Sequence, residues 1–371
     1  MADRLSYLDW NANAPVRPEA AAAVAQALAT AGNASSVHRA GRALRRIVEA
    51  ARVDVTSLVG ARPEEVVFTA GGTEANALAL WAFPDRRVLV SALEHDSVLA
   101  NAPDAARIPA RHDGLVDLSA LERLLAVDKR PALVSLLFAN NETGAIQPVA
   151  EAAKIAHRHG ALLHCDAVQG AGRQAIDMRR LGCDLMTVSA HKLGGPVGIG
   201  ALVIAGGLDI VPLIRGGGQE RGRRAGTENV PGIAGFGAAA HAAMADIAAW
   251  ATVATLRVET EQRLVAIAPD AVIYAATAPR LPNTICISMP GVPAATQVMA
   301  LDLAGVMVSA GAACSSGKVR RSHVLDAMGV PEHEAECAIR ISLGWRTTVA
   351  EIDHLVEAWG ALYARTRATA A

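Results

Sequence analysis

The chain has 371 residues, a formal net charge of −1 and a hydrophobic content of 52%, with 3% aromatic residues. This length accommodates one large domain and one smaller domain, and the apolar, alanine-rich composition excludes a disordered or fibrous chain. The near-zero net charge gives no indication of a nucleic-acid or membrane-surface partner.

Helices and apolar strands alternate over the first two thirds of the chain. The predicted helices cover residues 20–29, 37–59, 73–82 and 149–159, and the capping box Ser119-Ala120-Leu121-Glu122 opens a further one. The predicted strands cover residues 65–69, 87–91, 131–138, 161–165 and 184–188. Apolar strands separated by helices predict a mostly parallel α/β sheet with helices on both faces. The apolar stretch 232–254 predicts one buried helix, not a membrane span.

The pattern changes after about residue 255, where a smaller α+β unit is predicted. Its strands are expected at 284–289, 306–309 and 338–343. The capping box Thr348-Val349-Ala350-Glu351 opens a last helix, 349–363, and the residues beyond it are expected to fray. The predicted division is therefore a large domain, 14–254, and a small domain formed by 1–13 and 255–371.

The compartment is predicted from two features. No long apolar run follows the charged N-terminal residues, so a secretory signal is not expected. The five cysteines are scattered without a CxxC pair, which is typical of a reducing environment. Both features favour a cytoplasmic location.

Lys192 is the most informative residue, in the run Ser189-Ala190-His191-Lys192-Leu193-Gly194-Gly195. A lysine confined at a strand end, with small polar neighbours and glycine behind it, suits a Schiff-base lysine, whose amine needs a lowered pKa. Ser189, His191 and nearby backbone N–H groups are candidates for holding a phosphate. A surface lysine beside a turn is the plainer alternative.

Four other polar loops follow apolar strands, where open α/β sheets bind their ligands. One of them is Ala139-Asn140-Asn141-Glu142-Thr143-Gly144, after the strand 131–138. Gly71-Gly72-Thr73 opens a helix and predicts an anion cradle, or else an ordinary turn. Asp166 predicts a partner for a pyridinium nitrogen, or else a helix N-cap. His95, in Glu94-His95-Asp96-Ser97, is predicted to lie over an aromatic ring or to be structural.

The motifs GGTEAN, EHDS, NNETG, HCDAVQ, SAHK, GGGQERGRRAGTEN, GAACSSG and IRISLG stand in this order along the chain. The set resembles the cysteine desulfurases, from Tyr7 to about Thr348. These are pyridoxal 5′-phosphate (PLP) enzymes of the aminotransferase class-V family. The resemblance implies PLP-dependent transferase fold type I, with a mostly parallel seven-stranded sheet covered by helices and a smaller α+β C-terminal domain.

By that resemblance, Lys192 binds the cofactor covalently, Asp166 pairs with the ring nitrogen and Gln169 with the ring oxygen. His95 stacks on the ring and carries protons. The residues expected to hold the phosphate are Gly72, Thr73, Ser189, His191 and, from a neighbouring subunit, Thr227. Asn141 orients cofactor and substrate, and Asn33 is also expected to contact substrate. The resemblance implies a homodimer with shared sites.

Cys314 distinguishes a desulfurase from an aminotransferase, because its thiol must take up the substrate sulfur as a persulfide. Small residues flank it in Gly311-Ala312-Ala313-Cys314-Ser315-Ser316-Gly317, which predicts an accessible loop, whereas a free cysteine is more often buried. Arg340 lies on an apolar strand and is predicted to bind the substrate carboxylate, or else an internal acid. The resemblance is to the NifS/IscS-like group.

The predicted reaction converts L-cysteine to L-alanine and passes the sulfur to an acceptor protein of iron–sulfur cluster, thiocofactor or tRNA thiolation pathways. The alternatives are a selenocysteine lyase, another class-V PLP aminotransferase, or a scaffold that keeps the fold without turnover. A metal site at His157, His159, His164 and Cys165 is not expected, because the ligand spacing is missing. Arg221, Arg223 and Arg224 lack interleaved aromatic residues, which argues against nucleic acid.

Overall fold

The computed structural model describes residues 5–313 and 319–370. Its α-helices in those ranges are α1 Pro18–Leu28, α2 Arg39–Val59, α3 Gly72–Trp81, α4 Asp96–Leu99, α5 Leu118–Val127, α6 Val149–Arg158, α7 Met178–Leu181, α8 Val230–Ala245, α9 Trp250–Ile267, α10 Ala294–Leu303, α11 His323–Ala327, α12 Glu332–Ala335 and α13 Val349–Ala370. Its strands are β1 Ser6–Tyr7, β2 Val66–Thr69, β3 Arg87–Ser91, β4 Ala106–Ile108, β5 Ala132–Leu137, β6 Leu162–Asp166, β7 Leu185–Ser189, β8 Gly200–Ile204, β9 Val272–Ile273, β10 Thr284–Ser288, β11 Val306–Met307, β12 Ser309–Ala310, β13 Ala312–Ala313, β14 Val319–Arg320 and β15 Ala338–Ser342.

A seven-stranded sheet with the order β2-β8-β7-β6-β5-β3-β4 forms the centre of the larger unit. All of its neighbouring strands are parallel except β8, which is antiparallel to both β2 and β7. Both faces are covered. Leu133 of β5 belongs to one buried apolar cluster, which includes α3, and its neighbour Val134 belongs to another, which includes α2 and α8. Burial on both faces explains why the strands read as continuous apolar runs, and the predicted fold class is confirmed.

The predicted single helix 232–254 is wrong. The structure has two helices, α8 and α9, joined by a short 3₁₀ turn after Asp246. Asp246 leaves the helical register and forms an ion pair with Arg17 at 2.6 Å, and Trp250 donates its indole N–H to Gly172 O at 2.7 Å. By length and composition alone, α8 and α9 taken as one bent pair would pass as a membrane span, whereas no single helix of the described ranges would.

The smaller unit is built on a four-stranded antiparallel sheet with the order β12-β15-β10-β9. Its core combines Leu8 from the start of the chain, Trp250 from α9 and Trp359 from α13. The first strand, β1, pairs in parallel with β11. The predicted strand 306–309 is divided into β11 and β12, which pair with different partners. The domain boundary at residue 254 stays a prediction.

Two predicted helix ends differ from the structure and one agrees with it. The capping box at Ser119 is wrong, because Asp117 is the N-cap of α5 and accepts from the Ala120 N–H at 3.0 Å. The box at Thr348 is confirmed, since the Thr348 N–H donates to Glu351 Oε2 at 2.8 Å. The predicted end at residue 363 is wrong. Helix α13 continues to Ala370, and Arg367 forms an ion pair with Asp270 in the loop that follows α9.

Candidate active site

A cavity of about 620 Å³ lies where the loops after β3, β5, β6 and β7 meet the N-terminus of α3 and the small unit. Carboxyl ends of parallel strands share one edge of a sheet, which explains why loops distant in sequence meet there. The predicted site residues that line it are Gly72, Thr73, His95, Asn141, Asp166, Gln169, Ser189, His191, Lys192 and Arg340.

Three predicted residues are not brought into this cavity by the described structure. Asn33 is exposed, and its side chain accepts from the Ser35 N–H at 2.8 Å instead. Thr227 is exposed and lines a second cavity of about 160 Å³, beside Thr69 and Gly226. Cys314 lies outside the described residues. Glycine 311, which precedes it by three positions, does line the main cavity.

Lys192 ends a short 3₁₀ turn directly after β7. Its amine donates to the carbonyl oxygens of Asn11 at 2.5 Å and Ala12 at 2.8 Å. Desolvation, followed by the nearby guanidinium groups of Arg340 and Arg173, lowers the pKa of the amine to about 7. Near neutral pH a substantial fraction of Lys192 is therefore uncharged and nucleophilic.

Asp166 is the last residue of β6 and is 7% exposed. Each carboxylate oxygen accepts one hydrogen bond: Oδ1 from the Val168 N–H at 3.0 Å, and Oδ2 from Asn76 Nδ2 at 2.7 Å. No helix follows Asp166 directly, so it is not a helix N-cap. The remaining lone pairs of this acid are available to a cationic partner in the cavity.

His95 is the N-cap of α4 and is open to the cavity. Its Nδ1 accepts from the Ser97 N–H at 3.1 Å. Desolvation by the surrounding protein is the main cause that lowers the pKa of the imidazole, although the nearby carboxylate of Asp166 opposes it. A ring so placed is neutral at pH 7.

The opposite end of the cavity offers groups that suit an anion. Gly72 begins α3, and a Cβ at this position would meet Val168 Cγ2 at 3.1 Å, so the glycine permits a close approach. No protein hydrogen bond in the described ranges engages the hydroxyls of Thr73 and Ser189. Desolvation, with help from Lys192, lowers the pKa of His191 to about 4, so this imidazole is neutral at pH 7.

Arg340 and Gln169 line the cavity but already have protein partners. Arg340 Nη2 forms an ion pair with Asp9 Oδ1 at 2.7 Å, so the internal salt bridge, the alternative drawn from the sequence, is present. Its Nε is buried and has no hydrogen-bond partner. Gln169 accepts from Arg173 at 2.5 Å and donates to the Asn11 carbonyl at 3.1 Å.

Sequence reasoning missed a buried polar chain beneath the cavity. Ser135 Oγ donates to Glu94 Oε1 at 3.0 Å and lies 2.9 Å from His164 Nδ1, and His164 Nε2 lies 3.0 Å from Thr187 Oγ1. Burial raises the pKa of Glu94 well above its ordinary value and lowers that of His164 to about 4. His164 is therefore neutral at pH 7, and burial favours the protonated, uncharged form of Glu94 beside Asp166.

A second missed residue, Glu142, connects the two units. It is 2% exposed and accepts from Ser322 Oγ at 2.5 Å. The next residue, His323, lies 2.9 Å from the Glu94 carbonyl through its Nε2. The only sequence signal was that Glu94 and Glu142 stand inside the motifs EHDS and NNETG.

Comparison with known proteins identifies one family, and the relatives found by sequence and by structure agree with it. The family described as Aminotransferase class-V matches residues 6–355. A cysteine desulfurase of Cereibacter sphaeroides is 46% identical over 366 residues, which cover 95% of this chain and 94% of that protein.

The solved structures agree with the sequence relatives. A NifS-like protein from Rickettsia africae superposes with a TM-score of 0.91 at 37% identity, covering 97% of this chain and 99% of its own. The structure of SspA in complex with cysteine superposes with a TM-score of 0.78 at 28% identity, covering 91% and 98%. The cavity described above thus lies in a fold shared by proteins that carry the desulfurase name and by one that binds cysteine.

Proposed function

This chain belongs to the aminotransferase class-V family, and from that premise we infer that it is a PLP-dependent cysteine desulfurase. The reaction removes sulfur from L-cysteine and leaves L-alanine. The observation that carries the assignment is the meeting, in one cavity, of the Lys192 amine with its lowered pKa and the Asp166 carboxylate with donors on both oxygens.

The residues present fit the cofactor. A phosphate needs donors and close backbone approach, which Gly72 and the free hydroxyls of Thr73 and Ser189 supply. A pyridinium nitrogen needs a carboxyl partner, and Asp166 lines the cavity with a hydrogen-bond donor on each of its oxygens. The residues that would hold PLP are Gly72, Thr73, His95, Asn141, Asp166, Gln169, Ser189, His191 and Lys192.

When bound, PLP supplies an electron sink for the negative charge that develops at the substrate Cα. Lys192 Nζ, partly uncharged near neutral pH, would hold PLP and would take up the Cα proton of the substrate. Arg340 would offer its guanidinium to the substrate carboxylate through Nη1, which now makes only a 3.3 Å hydrogen bond to the Asn141 carbonyl, while Asp9 keeps Nη2 at 2.7 Å. This shared arrangement fixes the plane of the guanidinium before substrate arrives.

Cys314 is the proposed sulfur carrier. Its thiolate attacks the substrate sulfur, so that an S–S bond forms as the substrate Cβ–S bond breaks. Cβ gains a proton, and the products are L-alanine and a persulfide on Cys314. The other four cysteines are buried, and burial raises the pKa of Cys165 and Cys286, which supports Cys314 as the reactive thiol.

The finer assignments follow from the family and are proposals. Thr227 lies outside the main cavity of its own chain, which supports its use on the cofactor phosphate of a second subunit in a homodimer. The persulfide would pass to a cytoplasmic acceptor protein of iron–sulfur or thiolation pathways.

The test is a product assay on the purified, PLP-loaded protein with L-cysteine and a thiol reductant. Equal amounts of alanine and sulfide are expected, and keto-acid formation would indicate an aminotransferase. Cys314→Ser is expected to bind PLP and cysteine but to release no sulfide catalytically. Faster turnover of selenocysteine with no attack on cysteine would replace the assignment by a selenocysteine lyase.

A further inference from the structure

We propose that Asn76 and Ser97 are positioning residues that fix the ring proton of His95 on Nε2 while they orient the carboxylate of Asp166. This inference rests on the proposed function only in giving His95 and Asp166 a role in the reaction. Neither Asn76 nor Ser97 was singled out by the sequence, and both are buried, at 1% and 7% exposed.

Three short hydrogen bonds join the four side chains in a line. Asn76 Nδ2 lies 2.7 Å from Asp166 Oδ2 and 2.8 Å from Ser97 Oγ. Ser97 Oγ lies 2.8 Å from His95 Nδ1. The line therefore runs from the acid expected at the ring nitrogen to the imidazole expected over the ring, and helices α3 and α4 carry its two middle members.

The direction of every bond is determined by the chemistry of its partners. An ionised carboxylate only accepts, so the amide group of Asn76 turns its nitrogen, not its oxygen, to Asp166. The second hydrogen of that nitrogen goes to Ser97, whose oxygen accepts it. The hydroxyl proton of Ser97 is then free for His95.

The acceptor on His95 is fixed independently by the backbone. The Ser97 N–H, which can only donate, points at His95 Nδ1 at 3.1 Å. Nδ1 therefore carries no proton, and it receives the Ser97 hydroxyl as a second donor. The ring proton of neutral His95 must be on Nε2, the nitrogen with no protein partner in the described ranges, on a residue that lines the cavity.

This arrangement gives His95 a defined role. An imidazolium would place an Nδ1–H against the Ser97 N–H, so the network opposes protonation of the ring. Held neutral with its proton on Nε2, His95 presents a hydrogen-bond donor to the cavity and keeps its basic nitrogen, Nδ1, turned away on Ser97. The Oδ1 atom of Asn76 is buried and has no hydrogen-bond partner. The amide group is therefore oriented by the two hydrogen bonds of its nitrogen.

The first experiment reads the proton position directly in the full-length PLP-loaded protein. With ¹⁵N-histidine labelling, the His95 ring signals are identified by their loss in His95→Gln. The wild type is expected to show a protonated Nε2 and an unprotonated Nδ1. Ser97→Ala is expected to shift the Nδ1 signal, and Ser97→Thr, which keeps the hydroxyl, is expected to restore it. A protonated Nδ1 in the wild type, or identical spectra in the two variants, would overturn the proposal.

The second experiment separates the two arms of the network. Asn76→Ala removes a donor from Asp166 and is expected to weaken PLP binding about tenfold, whereas Ser97→Ala leaves the Asp166 contact and is expected to stay within about threefold of the wild type. Equal losses in both variants would contradict the assignment. The ring signals of His95 and the affinity for PLP are measured without cysteine turnover. A failure to form alanine would therefore disprove the proposed function, while the proton position on His95 would still be decided by the ring signals.

Discussion

The cavity has two walls, and their charges are held in different ways. In the sheet wall, formed by Asp166, His95 and Lys192, the hydrogen bonds of Asp166 and His95 come from loops and helices of the large unit, while the Lys192 amine donates to the carbonyls of Asn11 and Ala12. The arginine wall, formed by Arg340 and Asp9, joins β15 to the first residues of the chain. The comparison indicates that neutral hydrogen-bond partners from several elements hold the sheet wall, whereas the arginine wall depends on one ion pair between β15 and Asp9.

The largest effect is expected at the sheet wall. Lys192→Ala removes the amine that links the cofactor and moves the Cα proton, so turnover should fall by about 10⁴-fold or more. Borohydride reduction followed by peptide mass spectrometry measures the linkage and should find PLP on Lys192 in the wild type. A reduced adduct on another lysine would disprove the assignment.

A smaller, selective effect is expected at the arginine wall. Arg340→Lys loses the planar fork that a carboxylate needs, so kcat/KM for cysteine should fall about 10- to 100-fold while PLP binding is kept. The matched control is Asp9→Asn, which keeps an acceptor for Arg340 and should leave KM within about threefold. An equal rise in KM in both variants would contradict this prediction. It would show that Arg340 acts only through its ion pair with Asp9.

The buried chain beneath the sheet wall gives a prediction on pH. Burial raises the pKa of Glu94 in the folded state, so the folded protein retains a proton that the unfolded chain releases above the ordinary value of 4.5. Wild-type stability should therefore fall, relative to Glu94→Gln, as the pH rises from 5 towards 8, by at most about 1.4 kcal/mol per pH unit. Thermal unfolding across that range measures the difference, with the exposed Glu19→Gln as control. Parallel curves for wild type and Glu94→Gln would mean that Glu94 is ionised.

The smallest effect is expected far from both walls. Thr348→Ala removes the capping box of α13 and should cost about 1 kcal/mol of unfolding free energy. The cofactor absorbance should not change, because α13 packs on the small-unit core, away from the cavity. A shifted absorbance would connect the capping of α13 to the site and weaken the distinction between the two walls.

The sequence predicted features that depend on neighbouring residues. Strand β3 was predicted to the residue because its apolar run has clear ends, and Lys192 and Asp166 were found because strand and polar loop are adjacent in the chain. Asn76 was missed because its partners are distant in sequence. Ser97 and Asp166 come near only when α3 packs against α4 and the end of β6. The break between α8 and α9 was missed for the same reason, since the partner of Asp246 is Arg17.

The pairing of β1 with β11 and of Asp9 with Arg340 has a consequence for biosynthesis. Asp9 leaves the ribosome before its partner, Arg340, which emerges after more than 300 further residues. All residues of the sheet wall have been synthesised by Lys192, but the arginine wall can close only after β15 has emerged. The residues proposed to hold PLP are therefore all synthesised before Arg340, the proposed carboxylate anchor, so the cofactor side of the cavity is translated before its substrate side.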